Sequence, residues 1–223
     1  MKLTLEKLKK NKVDKLVVEW FIEQNDTNVV SLINKAFESG REEVLDFFNF
    51  VIDHFLNRTG RIKYAVFAAE QVVGIFEKKY PKENRIREAI DAAKNVIEND
   101  SKINRKHAED AFEKAFDVAH KAIVRDDSVS MAADVAAFNA ADSAVHAAAT
   151  AADGSIRSRY AGSAYSAKSA TDSIYSHAAY SAYCANKDDH AGFIASAAEA
   201  AYGMKIKILR YGITLIEEME GRK

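Results

Sequence analysis

Alanine fills 26 of the 71 positions between residues 131 and 201, and its spacing limits what this tract can fold into. Ala133, Ala140 and Ala147 are seven residues apart, and Ala137 lies four residues after the first of them. A period of 3.5 residues is typical of helices that pack side by side at small crossing angles. Alanine also favours the helix and adds little side-chain area between helices. The tract therefore predicts long, closely packed helices.

Apolar side chains elsewhere recur at helical spacing and predict shorter amphipathic helices. Val13, Val17, Trp20 and Phe21 fall on one stripe of a first helix. The chain has one proline, Pro81, and nine glycines, although strands and their turns need both residue types. The same stripe recurs in five more segments, near residues 28–39, 44–55, 64–79, 81–97 and 108–122.

Breaks between these stripes predict where helices begin and end. Gly40 is expected to end one helix, and the helix over residues 44–55 is expected to end before Thr59-Gly60. Pro81 is expected to open a helix at its first position, because a proline there loses no helical hydrogen bond. A last helix is expected from about His190 to Glu220.

The expected fold class is therefore all-α: a multi-helix bundle of eight or nine helices with an alanine-rich antiparallel bundle at its C-terminal end. Composition changes near residue 130, since residues 1–100 hold only seven alanines. We assign residues 1–126 to an amphipathic helical part and residues 127–223 to the alanine-rich bundle, within one continuous fold.

Charge and cysteine content exclude several classes of protein. The 32 Lys and Arg residues balance 33 Asp and Glu residues, so the whole chain has no electrostatic reason to bind nucleic acid. The lysine-rich stretch Lys2–Lys15 is expected to be solvated surface. The single cysteine, Cys184, excludes a disulfide framework and a multi-cysteine zinc site.

No apolar run approaches the ~18–20 residues of a membrane span, and no signal peptide is recognised, so we expect a cytoplasmic protein without a membrane partner.

Catalytic and metal-binding patterns are weak throughout the sequence. Asp142 and His146 would share a helix face, where a simple polar pair is commoner than a metal half-site or an acid–base couple. Cys184 is interpreted as a packed thiol. No Walker loop, His-Glu-x-x-His or Gly-x-Gly-x-x-Gly motif occurs. We expect no catalytic residue, no metal and no cofactor; an enzyme that uses His146, His177 or His190 is the less favoured alternative.

Tyrosine, serine and arginine make the alanine-rich tract the expected contact surface. Tyrosine and arginine are the usual anchors of protein interfaces. The expected faces lie in residues 156–183 and at the start of the helix over residues 188–202. The predicted binding residues are Arg157, Arg159, Tyr160, Tyr165, Tyr175, His177, Tyr180 and Tyr183. The two arginines also suit an anion site at a helix start, although solvated surface is the commoner arrangement.

The stretch from Arg61 to Ala93 carries the most specific motif. It predicts a helical hairpin that turns at Tyr80-Pro81. Exposed ion pairs across such a hairpin are worth about 0–1 kcal/mol each. The charged side chains expected to form them are Lys63, Glu70, Glu77 and Arg85.

Three motifs give this hairpin a resemblance to a known family. They are Ala68-Ala69-Glu70, Phe76-Glu77-Lys78-Lys79-Tyr80-Pro81 and Arg85-Ile86-Arg87-Glu88-Ala89-Ile90. The hairpin resembles that of the alanine-rich immunity proteins found in phages and bacteria. The tract over residues 130–201 is similar to that family's long tract, and Val18-Glu19-Trp20-Phe21 looks like its opening helix. Two positions depart from the family: Ile86 replaces a proline, and Ala69 replaces a cysteine.

The resemblance implies a role rather than a chemistry. It implies a non-enzymatic protein that binds and neutralises another protein, either a toxin or a host-defence factor. The setting that it implies is the cytoplasm of a bacterial cell or of a phage-infected host. No catalytic residue comes with it.

Two further expectations arise from the alanine-rich tract itself. Serine and tyrosine hydroxyls on closely packed helices would line a polar interior, which suits a small-molecule or nucleotide sponge or sensor as the alternative function. A flat alanine-rich face left uncovered by the closing helix would pair with its twofold copy, which predicts a homodimer.

Overall fold

The computed structural model describes residues 1–10, 13–122, 131–152, 162–185 and 190–221. Within these residues the protein is all-α, as predicted, and its helices pack together as a bundle. The ten described helices are α1 (Leu5–Lys10), α2 (Lys15–Gln24), α3 (Val29–Ser39), α4 (Glu42–Phe55), α5 (Arg58–Lys79), α6 (Arg85–Glu98), α7 (Lys102–Ala122), α8 (Met131–Ala151), α9 (Ser163–Ala185) and α10 (His190–Met219).

Capping residues fix the ends of α3. Its first turn is capped by Asn28, whose side chain accepts a hydrogen bond from the Ser31 N–H at 3.0 Å. The helix ends at Gly40, where φ is 65°, a left-handed conformation that glycine adopts without strain. The predicted end of this helix is therefore confirmed.

One of the two remaining boundary predictions is confirmed and the other is wrong. Helix α4 ends at Phe55, before Thr59-Gly60 as predicted, and α5 begins at Arg58, where the Asn57 side chain caps it by accepting from the Gly60 N–H at 2.8 Å. Pro81 lies in the turn between α5 and α6, and α6 begins at Arg85. The short helix α1 was not expected either, because six residues are too few to show a helical stripe.

Helices α5 and α6 form the antiparallel hairpin expected from the motif. Ion pairs join Glu77 to Arg87 and Glu70 to Lys94, each at 2.7 Å, so residue numbers rise along one helix as they fall along the other. Arg85 was expected to pair across the hairpin. Its guanidinium instead pairs at 2.5 Å with the carboxylate two residues earlier in the chain.

Hydrogen bonds between α8 and α9 show that the alanine-rich helices run antiparallel. Ser143 Oγ donates to the Ser166 carbonyl at 2.9 Å, and Ser173 Oγ donates to the Ala136 carbonyl at 2.7 Å. The predicted α8 seam is buried at Ala137, Ala140, Ala144, Ala147 and Ala151. Along α9 the predicted seam is buried only in the first half of the helix, because Ser181, near its end, is exposed.

One cluster of buried side chains runs from Leu3 to Ile216 and joins the amphipathic helices to the alanine-rich ones. Helix α8 packs against α5, α6, α7 and α9, while α10 packs against α9, α4 and α5. Gly212 permits a close approach of α10, since a Cβ there would lie 2.6 Å from Ile52 Cδ1 and 2.8 Å from Tyr64 Cε2. These contacts fix α4, α9 and α10 relative to one another.

Candidate functional site

The predicted binding residues fall into two groups in the structure. Arg157, Arg159 and Tyr160 lie outside the described residues, and Tyr183 lies in α9 with its side chain outside them. The other four lie along α9 and are exposed or partly exposed: Tyr165, Tyr175, His177 and Tyr180.

Tyr165 and Tyr175 share one exposed stripe of α9. Ten residues of helix place them about 15 Å apart along the axis and within about 80° of each other around it. Lys168 and Asp172 lie between them on the same stripe, and the tyrosine side chains are 50% and 41% exposed. The structure therefore brings two of the predicted tyrosines onto one face.

His177 and Tyr180 lie on other faces of α9. Helical rotation places them about 160° and about 140° from Tyr175, respectively. Tyr180 is hydrogen-bonded to Cys184, and this bond raises the pKa of the Tyr180 hydroxyl. Cys184 is exposed, so its interpretation as a packed thiol is wrong. A binding role for His177 and Tyr180 stays a prediction.

Two neighbouring rings hold the Tyr165 side chain in place. Phe50 of α4 meets it edge-on, with ring centroids 5.8 Å apart and an angle of 87° between the planes. His146 of α8 stacks on it, with centroids 5.6 Å apart and an angle of 23°. Aromatic pairs of this kind contribute about 0.5–1.5 kcal/mol each. Tyr165 is thus exposed and also restrained by contacts to α4 and α8.

A polar cluster beside Tyr165 orients the His146 ring. Asp142 Oδ2 lies 3.4 Å from His146 Nε2 and accepts a hydrogen bond from Ser169 Oγ at 2.7 Å. Burial acts to raise the pKa of Asp142, but the bonds from His146 and Ser169 outweigh it and keep the pKa below its ordinary value. The predicted pairing of Asp142 with His146 is confirmed. Ser169 and His146 together hold the Asp142 carboxylate in one position, and His146 in turn stacks on Tyr165.

The carboxylate of Asp53, on α4, binds the first turn of α9. Its Oδ1 accepts hydrogen bonds from the Ser163 N–H at 3.0 Å and from Ser163 Oγ at 2.5 Å. A carboxylate at a helix N-terminus satisfies a free N–H group and complements the helix dipole. This contact sets the position of α9 along α4. It is made by Ser163, two residues before Tyr165 in the chain.

A small cavity of mixed charge lies beside Tyr175, between α4, α9 and α10, with a volume of about 190 Å³. Lys205 is almost fully buried in its wall, and its Nζ lies 2.8 Å from Asp46 Oδ1. Lys168 and Asp172 form a second ion pair in the lining, at 2.6 Å. A buried lysine needs such a partner, so Asp46 holds the charge of Lys205 in a fixed place, whereas the Lys168–Asp172 pair is exposed.

Together these residues form one exposed surface, which we call the α4–α9 surface. It consists of Asp46, Phe50, Tyr165, Lys168, Asp172 and Tyr175. Sequence reasoning missed Asp46 and Phe50, and it also missed Lys205 behind them. Phe50 lies outside the apolar stripe on the buried face of α4. An aromatic residue on the exposed side of a helix is a sequence signal for a contact surface, and this signal could have identified Phe50.

The buried serines of the alanine-rich helices join helices to one another. Ser166 Oγ donates to the Ala65 carbonyl of α5 at 2.9 Å, and Ser173 Oγ bonds to α8. Hydroxyls bonded to carbonyls in this way are satisfied by the protein itself. The hydroxyls that motivated a ligand-binding interior therefore serve in helix packing at these positions.

Histidines and acidic residues are dispersed in the described part of the chain. No three His, Cys, Asp or Glu side chains there are grouped as a metal site requires. The antiparallel register of α8 and α9 places His146 and His177 about 20 Å apart. No helix among the described residues is both long and apolar enough to cross a membrane.

Comparisons with known proteins found no match: no protein-family model, curated protein or solved structure matches the chain. The functional argument therefore rests on the α4–α9 surface. The resemblance of the α5–α6 hairpin to immunity proteins therefore stays a prediction.

Proposed function

We propose that this protein is a non-enzymatic binding protein that neutralises a toxin or a host-defence factor by covering it with the α4–α9 surface. The observation that carries the proposal is the pair of exposed tyrosines, Tyr165 and Tyr175, on one stripe of α9 beside the exposed ring of Phe50. Aromatic residues are enriched at the centres of protein interfaces and often supply much of their binding energy.

Restraint of these side chains before binding supports the proposal. A partner that covers Tyr165 loses little side-chain entropy, because Phe50 and His146 already hold the ring. The ion pair between the buried Lys205 and Asp46 presents a fixed positive charge and its partner carboxylate beside Tyr175. Fixed charges select a complementary partner and disfavour other proteins.

The neutralising role is motivated by the hairpin motif in α5 and α6. The immunity proteins that the hairpin resembles act by binding another protein, which agrees with an exposed aromatic surface. We place this activity in the cytoplasm of a bacterial cell or a phage-infected host, with a toxin or defence protein as the partner.

A capture experiment with matched variants tests the binding surface. The wild-type chain, the double variant Tyr165→Ala/Tyr175→Ala and the control Ile103→Ala are immobilised and exposed to lysate of the organism that carries the gene. Ile103 is 68% exposed on α7, away from the α4–α9 surface. We expect a protein retained by the wild type and by the control, with affinity for the double variant reduced about tenfold or more.

The function itself is tested with the retained protein. Expressed alone in a bacterial host, that protein should slow growth or block phage replication, and co-expression of the wild-type chain should reverse the effect. The double tyrosine variant should fail to reverse it. A retained protein that binds all three chains equally, or one whose activity is unchanged by co-expression, contradicts the proposal.

A further inference from the structure

A second cavity, of about 370 Å³, lies between α1 and α4 and has apolar walls. Leu8 of α1 faces Phe47, Val51 and Phe55 of α4 across it. Sites for small organic ligands are commonly about 300–1,000 Å³ and have mostly apolar walls with a few polar groups. The size and walls of this cavity suit the apolar part of one small molecule.

The polar groups of this cavity are basic. Lys7 and His54 line it, and no carboxylate side chain does so among the described residues. Lys7 Nζ lies 5.2 Å from the centre of the Phe55 ring, so its positive charge stands directly beside the apolar wall. The ligand that complements this arrangement has an apolar chain and a negatively charged end.

We propose that the α1–α4 cavity binds one single-chain carboxylate of medium length, with its chain against Phe47 and Val51 and its carboxylate at Lys7. The small volume holds one such chain rather than a membrane lipid with two. Phe50 lines this cavity and also contacts Tyr165, so the bound chain would lie against the α4–α9 surface. The inference goes beyond the proposed neutralising function and stands without it.

Calorimetric titration with three probes tests this proposal on the wild-type chain. Octanoate combines an apolar chain with a carboxylate, octan-1-ol keeps the chain alone, and acetate keeps the carboxylate alone. We expect octanoate to bind once per chain, with a dissociation constant below about 1 mM. Octan-1-ol and acetate should each bind about tenfold more weakly or not at all, because each lacks one of the two interactions.

Two lysine variants locate the site. Lys7→Met removes the charge at the cavity and keeps an unbranched side chain, and Lys9→Met is the matched control, since Lys9 is an exposed residue of the same helix outside the lining. Octanoate should bind Lys7→Met about tenfold more weakly than Lys9→Met, with both variants keeping the wild-type circular dichroism spectrum.

Three results would overturn the inference. They are no octanoate binding to the wild type, equal affinities of the two lysine variants, and octan-1-ol binding as tightly as octanoate.

Sedimentation with phosphatidylglycerol vesicles tests whether the protein binds a membrane surface instead. Retention of the wild type on the vesicles with equal loss in both lysine variants would point to a membrane surface and would also contradict a single-chain site.

Discussion

At the scale of single residues, the environment of Asp26 strongly favours the charged form of its carboxylate. Its carboxylate accepts hydrogen bonds from Ser31 Oγ at 2.6 Å, from the Asn28 N–H at 2.9 Å and from Lys35 Nζ at 3.0 Å. The bond from Ser31, together with those from Asn28 and Lys35, lowers the pKa of Asp26 far below its ordinary value. These bonds join the loop before α3 to the helix itself.

Acid titration of Asp26→Asn tests this network. The folded-state pKa of Asp26 lies below the unfolded value of about 3.9, so its contribution is fully present above that pH and is lost as the pH falls toward the folded pKa. We expect the variant to lose about 1 kcal/mol of unfolding free energy at pH 7 and much less at pH 2. Urea unfolding at both pH values measures this. A loss that is the same at both pH values would contradict the assignment.

At the same scale, the local pair of Asp142 and His146 was predictable and the ring contact of Tyr165 was not. A spacing of four residues places two side chains on one helix face whatever the tertiary structure is. The contact of Tyr165 with Phe50 joins residues more than 100 positions apart, and it depends on how α9 lies along α4. Sequence spacing carries no information on that arrangement, so the tyrosine was predicted without its neighbours.

At the scale of elements, the approach of α10 to α4 and α5 depends on Gly212. A Cβ at this position would overlap Ile52 and Tyr64, which are both fully buried. Gly203, in the same helix, has no atom within 4 Å of the corresponding Cβ position. The two glycines therefore form a matched pair of test sites.

Thermal or urea unfolding of two alanine variants tests this close approach. Gly212→Ala should lower the unfolding free energy by about 1–3 kcal/mol, because the added methyl group forces the core apart. Gly203→Ala should raise it by about 0.5–1 kcal/mol, because alanine is the better helix former in open space. Equal effects of the two substitutions would mean that α10 does not pack as described.

The position of α9 depends on Asp53. Asp53→Ala removes the acceptor for two Ser163 groups, and we expect a loss of about 1–2 kcal/mol in unfolding free energy. Glu43→Ala, at an exposed site of the same helix, is the control and should change stability by less than about 0.5 kcal/mol. Hydrogen exchange in the first turn of α9 should quicken in the first variant only. Unchanged exchange there would contradict this capping contact.

Most of the helices were predictable from the sequence, while their exact starts depended on capping. Apolar stripes indicated every long helix, because burial of one face imposes a regular spacing. Pro81 was misplaced because proline suits both a turn and a first helical position, and sequence alone does not choose between them. The end of α4 before Thr59-Gly60 was predictable, whereas the start of α5 at Arg58 is set by the Asn57 cap.

At the scale of the whole molecule, α8 of the alanine-rich tract lies at the centre of the described bundle. Helix α8 is covered by α5, α6, α7 and α9 within the described residues, so its alanines are not the open face on which a homodimer was predicted. A homodimer stays a prediction, and light scattering tests it. Small side chains let α8 lie close to its neighbours, and the aromatic side chains of the α4–α9 surface lie on the outside of the bundle.

Hydrogen–deuterium exchange of the complex with the captured partner tests the central claim most directly. If the α4–α9 surface binds the partner, amides in residues 42–55 and 163–175 should exchange more slowly in the complex, while those of α7 keep their rates. The Tyr165→Ala/Tyr175→Ala variant should show no such protection at the same concentrations. Protection confined to α7, or equal protection in the double variant, would contradict the assignment of this surface as the partner-binding site.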